Sequence, residues 1–120
     1  MNFETNSFKN EFIPQEFHLE QNYPNPFKDK TTITYCVPCK TKVIMIVINS
    51  EGKIVEKLIS KEQEAGIHEV EFNLHKNHSG SIRPTDGDLP EGTYFYQLIA
   101  VPTGGQAEEY INTKTMILLK

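Results

Sequence analysis

Apolar and polar positions alternate along most of this chain with a period of two, the spacing of a half-buried strand. From Thr31 to Val37, the residues Ile33, Tyr35 and Val37 share one face, and Thr32, Thr34 and Cys36 share the other. Pro38 ends that run, because proline brings no N–H to a ladder. Val43 to Ile48 is an unbroken apolar stretch rich in β-branched residues, with Val43, Met45 and Val47 on one face and Ile44, Ile46 and Ile48 on the other. Asn49-Ser50-Glu51-Gly52 reads as a turn, Gly52 supplying a positive φ, and Lys53 to Ser60 returns as the hairpin partner. Ser60 to Ala65 reads as a polar connection closed by Gly66. Ile67 to Leu74 alternates again, with His68, Val70, Phe72 and Leu74 opposite Glu69 and Glu71. Gly92 to Val101 sets Tyr94, Tyr96 and Leu98 against Phe95, Gln97 and Ile99. Pro102 to Gly105 signals a turn, and Glu108 to Leu119 a last strand carrying Ile111, Met116 and Leu118. With a short strand at Phe17-His18-Leu19, the pattern predicts about seven strands, no helix, and an all-β sandwich.

Two stretches fall outside this alternation. Met1 to Gln15 is polar, with isolated Phe3, Phe8, Phe12 and Ile13, so residues 1–16 read as a flexible arm or linker before a domain at 17–120. His75 to Glu91 is a long break holding Gly80, Pro84, Gly87 and Pro90. A loop of that length in a small domain is mobile or functional. Its Asp86-Gly87-Asp88 lacks the alternating acids and closing Glu of a calcium loop and reads as a turn.

Composition excludes more than it suggests. The 120 residues make one ordinary domain, with 12 basic and 16 acidic side chains and a formal net charge of -4, so no basic patch points to nucleic acid. No apolar run approaches a membrane span. Met1 to His18 has acids and amides where a signal peptide would have its apolar core. The chain is therefore either cytoplasmic, if Met1 is the true start, or a piece of a longer secreted protein. Cys36-Val-Pro-Cys39 lies between two strands, where a redox pair would need a helix start, and the four His are scattered singly. The two cysteines read as strand-end residues, their pairing open. No nucleophile elbow, phosphate loop or His-Glu-x-x-His is present, and no cofactor is implied. The expectation is a protein that is not an enzyme.

Gln21-Asn22-Tyr23-Pro24-Asn25-Pro26-Phe27 is the stretch around which the rest is arranged. Pro24 and Pro26 fix φ, remove two donors, and push Tyr23 and Asn25 out of the helical region. The segment is stiff, and its two rings, Tyr23 and Phe27, are placed to enter a core. Together with Thr31 to Pro38, Gly52-Lys53-Ile54-Val55, Ala65 to Phe72, Leu89 to Leu98 and the ending Lys114 to Lys120, it resembles the C-terminal sorting domain of type IX secretion cargo proteins. It is also similar to the related immunoglobulin-like domain of the flagellar hook-capping protein. The likeness spans roughly residues 17–120.

The resemblance implies an immunoglobulin-like sandwich in which Tyr23, Pro24, Asn25, Pro26, Phe27, Gly52, Gly66, Gly92, Tyr94 and Tyr96 are structural. Tyr94, at the start of a late strand, resembles a tyrosine corner. It implies a non-catalytic sorting role, with the outer-membrane translocon and a sortase as partners, on a route from periplasm to cell surface or exterior. The last strand would keep its end free, pair with a partner by its edge, and offer Lys114, Met116, Leu118 and Lys120 for recognition. The second reading is a freestanding assembly or adhesion module. The family tends to place polar residues at Ile44 and Ile46. Their apolar character here predicts a stripe covered by the N-terminal arm, by a second copy in a homo-oligomer, or by a partner.

Overall fold

The computed structural model describes residues 13–74, 89–104 and 108–120. Residues 1–12 of the N-terminal arm lie outside it, as do residues 75–88 of the long break, with the Asp86-Gly87-Asp88 turn.

Period-two alternation becomes strand as the sequence predicts. The seven strands are β1 (His18–Leu19), β2 (Lys30–Val37), β3 (Thr41–Ile48), β4 (Ile54–Gln63), β5 (Gly66–Asn73), β6 (Gly92–Pro102) and β7 (Tyr110–Leu118). All ladders are antiparallel. They form two sheets, β1-β2-β5 and β4-β3-β6-β7. This is an all-β, immunoglobulin-like sandwich, with no helix among the described residues.

The core is where the alternating strands place it, and the unbroken apolar run of β3, in which alternation picks no face, turns Val43, Met45 and Val47 inward. Ile33, Tyr35 and Val37 of β2 meet Val43, Met45 and Val47 of β3 and Tyr96 and Leu98 of β6, all fully buried. Phe72 of β5 and Met116 and Leu118 of β7 complete the interior. Burying a side chain of this kind contributes roughly 1.5–3 kcal/mol, so this face-to-face packing dominates the stability.

β4 departs from simple alternation. Its register against β3 slips twice, between Met45/Ile46 and between Val47/Ile48. Each slip leaves one β4 residue unopposed, Leu58 and then Val55, and both turn into the core. Such bulges bend a strand and break its parity. Residues 60–63, read from sequence as connection, continue the strand opposite Ile44 to Thr41. Their polar side chains suit the exposed edge they occupy, which hides the strand from a pattern search.

Local turns follow the chemistry of their residues. The Asn49 side-chain oxygen accepts the N–H groups of Glu51 and Lys53, both at 2.9 Å. Gly52 has φ of 86°, a region L side chains disfavour. The Tyr94 hydroxyl donates to the Pro90 carbonyl at 2.6 Å, which ties the entry of β6 as a tyrosine corner does.

Candidate recognition site

The site begins with Asn22. Its side chain is 2 % exposed although polar, so its groups must be bonded within the protein. The Asn22 N–H donates to the Tyr96 hydroxyl at 2.8 Å, and that hydroxyl donates to the Glu20 carbonyl at 2.7 Å. The Asn22 Nδ2 donates to the Pro24 carbonyl at 3.1 Å and to Thr31 Oγ1 at 2.9 Å. Thr31 Oγ1 in turn donates to the Pro24 carbonyl at 2.8 Å. Burial pushes the Tyr96 hydroxyl from its ordinary 10.0 up to about 12; the Asn22 N–H opposes this and the Glu20 charge adds to it.

Around this knot the chain folds back on β2. Tyr23 and Thr32 exchange two backbone hydrogen bonds of 2.9 Å. Both X–Pro bonds, Tyr23–Pro24 and Asn25–Pro26, are cis. The segment then reaches the outer edge of β7. Gln21 Nε2 donates to the Thr115 carbonyl at 2.7 Å, and Asn25 Oδ1 accepts the Ile117 N–H at 2.9 Å. Phe27 donates its N–H to the Ile117 carbonyl at 2.9 Å and accepts the Leu119 N–H at 2.8 Å, making a parallel bridge with Leu118. The Phe27 ring is 1 % exposed and stacks edge-on against Phe72, with centroids 5.9 Å apart. The Lys120 N–H donates to Glu91 Oε1 at 3.1 Å.

This geometry revises three expectations. The end of β7 is not free: residues 21–27 bind its edge from Thr115 to Leu119. Tyr23 does not join Phe27 in the core; it is 80 % exposed. Two bonds to Thr32 and the turn at Pro24 aim it outward. Met116 and Leu118 do not face a partner either, since both are fully buried. Even-numbered β7 residues point inward, so Lys114, Met116 and Leu118 share the core side, and only half-buried Lys114 and exposed Lys120 reach water. The outward residues of the same strand, Ile111 and Ile117, and Leu119 just beyond it are the exposed ones; the sequence names Ile111 as apolar but none of the three as a recognition residue. Asn22, Gln21 and Thr31 were also missed as fasteners. An amide beside a proline-rich turn was the available signal.

Other candidate positions have structural surroundings. Gly66 and Gly92 open β5 and β6 with positive φ. Cys36 is half-buried on β2 and Cys39 half-buried in the following turn, both as free thiols. Burial, then the charge of Glu20, pushes the Cys36 thiol up. The His68 ring lies against Tyr35, centroids 5.6 Å apart, with Nε2 2.8 Å from the Glu64 carbonyl. Ile44 and Ile46 lie on the outer face of β3, but β4 and β6 flank them and leave Ile46 only 9 % exposed. Among the described residues no His, Cys, Asp or Glu group could hold a metal ion, and no helix is long and apolar enough to cross a membrane.

The described residues thus form a two-sheet sandwich whose last strand is clasped by a proline-bearing segment. The family described as the secretion system C-terminal sorting domain matches residues 21–82, more than half of the chain, and the protein belongs to it. The match begins at Gln21, the first residue of the clasp. No curated protein matches the chain. The domain is a C-terminal sorting signal for type IX secretion. It therefore engages the secretion machinery and marks cargo that passes to the cell surface or the extracellular space. The match favours sorting over the freestanding assembly reading.

Proposed function

We propose that the domain, residues 17–120, acts as a folded address label, bound by the outer-membrane translocon and then by a sortase, and performing no reaction itself. Residues 1–16 serve as the arm before it. In this reading the cargo travels from the periplasm to the cell surface or exterior. The observation that carries the reading is the clasp. Gln21 and Asn25 through their side chains, and Phe27 through its backbone, hold the backbone of Thr115 to Leu119, so the last strand is presented in one fixed geometry. Pre-organisation of this kind lowers the ordering cost of binding. The exposed groups beside the clasp are Tyr23, Ile117 and Leu119, with Lys120 adding positive charge.

The test is export of a reporter fused ahead of residues 1–120 in a host with type IX machinery. Deleting residues 116–120 would also remove Met116 and Leu118 from the core, so surface substitutions separate recognition from folding. Tyr23→Ala with Leu119→Asp is expected to leave the melting temperature of the purified domain in place and to abolish export. Full export by that double variant would reject the clasp surface as the address.

A further inference from the structure

The clasp covers only half of the β7 edge. Odd-numbered residues of β7 turn their backbone groups away from β6, as the bonds at Thr115 and Ile117 establish. Gln21 to Phe27 satisfies the Thr115 carbonyl and everything beyond it up to the Leu119 N–H. The N–H and C=O of Ile111 and of Thr113, and the N–H of Thr115, have no hydrogen-bond partner among the described residues. We infer that this half-edge, Ile111 to Thr115, seats an extended strand of the recognising partner, which continues the line of backbone pairing that Phe27 begins. The inference rests on the sorting reading and gives its recognition step a location.

Edge strands are common, and the other three here are defended. β1 has two residues. β4 is bulged and carries Lys57, Lys61 and Glu62. β5 carries Glu69 and Glu71. Bulges, charges and shortness are the devices that keep edges from pairing. Residues 111–115 have no register slip against β6 and a single charge, Lys114. Ile111 is 56 % exposed on the outer side, and Lys114, on the inner side, has no ion-pair partner among the described residues. The strand that fits is therefore extended, with an apolar side chain over Ile111 and a carboxylate toward Lys114. Pairing of this type takes its affinity from main-chain bonds and its selectivity from alternate side chains.

Proline at position 113 removes an outward N–H and leaves the ladder to β6 intact, a setting in which an edge strand tolerates it. The reporter fusion is compared in three forms: unaltered, Thr113→Val and Thr113→Pro. The first two are expected to be exported alike, and Thr113→Pro to fall about tenfold or more, the loss that one deleted bond plus a ring in the partner's path implies. Equal export by a folded Thr113→Pro domain overturns the half-edge inference and leaves the sorting reading standing. Failure of the unaltered fusion overturns the sorting reading. Amide exchange on the purified, unaltered protein adds a check that needs no variant. Ile111 and Thr113 are expected to exchange fast while Asn112 and Lys114 stay protected. Slow exchange at 111 and 113 in the protein alone, whether from its own N-terminal arm or a second copy, also overturns the inference.

Discussion

The side-chain oxygen of Asn25 accepts the amide hydrogen of Ile117 at 2.9 Å, across 92 residues of chain. An asparagine inside a proline turn thus does the work of a neighbouring strand. Its acceptor takes the place that a backbone carbonyl would have in a ladder, and Phe27 then continues with true backbone bonds on either side of Leu118.

Asn25→Ala removes this acceptor at an exposed position. The expected loss is about 0.5–1.5 kcal/mol, the net value of one such bond. Urea unfolding gives the stability, and amide exchange should speed up at Ile117 while Met116 keeps its protection. Unchanged exchange at Ile117 would show that Asn25 does not hold the strand.

Phe27 and Tyr23 bracket the same turn and should behave oppositely. Phe27→Ala empties a site that is 1 % exposed and packed on Phe72, and is expected to cost about 3–5 kcal/mol. Tyr23→Ala, at 80 % exposure, should stay within about 0.5 kcal/mol of the unaltered domain. Denaturant midpoints of the two variants measure this directly.

Tyr96→Phe deletes a hydroxyl that accepts from Asn22 and donates to Glu20. The Asn22 N–H is left buried without an acceptor, so the expected loss is about 1–3 kcal/mol, more than for an ordinary Tyr→Phe change. A loss no larger than that of Tyr94→Phe, whose hydroxyl makes one bond at the sheet's end, would argue against the knot as a central support.

Alkaline pH should unfold the domain through its tyrosines. Burial raises Tyr35 and Tyr96 from 10.0 to about 12 each. Above pH 10 the unfolded chain gives up these protons and the folded one keeps them, so unfolding releases protons and stability falls as pH rises. The contribution is whole below about pH 10 and is lost towards pH 12, at up to ~1.4 kcal/mol per tyrosine per pH unit. Melting temperature against pH checks this, and Tyr96→Phe should make the fall shallower.

Much of the fold was legible because it is written locally. Alternation at Ile33, Tyr35 and Val37, and at Tyr94, Tyr96 and Leu98, reads directly as a buried face. The Asn49–Gly52 turn reads from its own residue types. β4 was only half legible, since the slips that turn Val55 and Leu58 inward depend on the partner strand. The site was legible as a motif and not as a contact. Pro24 and Pro26 announced a stiff segment between Tyr23 and Phe27, with no sign of which ring would be buried.

Residue order alone determined most of the strands, the inward faces of the alternating ones and the family resemblance, because side-chain period and turn chemistry are properties of neighbouring residues. Only the folded structure decided that Gln21 to Phe27 lies along Thr115 to Leu119, that Tyr23 faces water, and that Met116 and Leu118 belong to the core. Those outcomes depend on which edge of which sheet is left unpaired, and unpaired backbone groups draw partners from any distance along the chain.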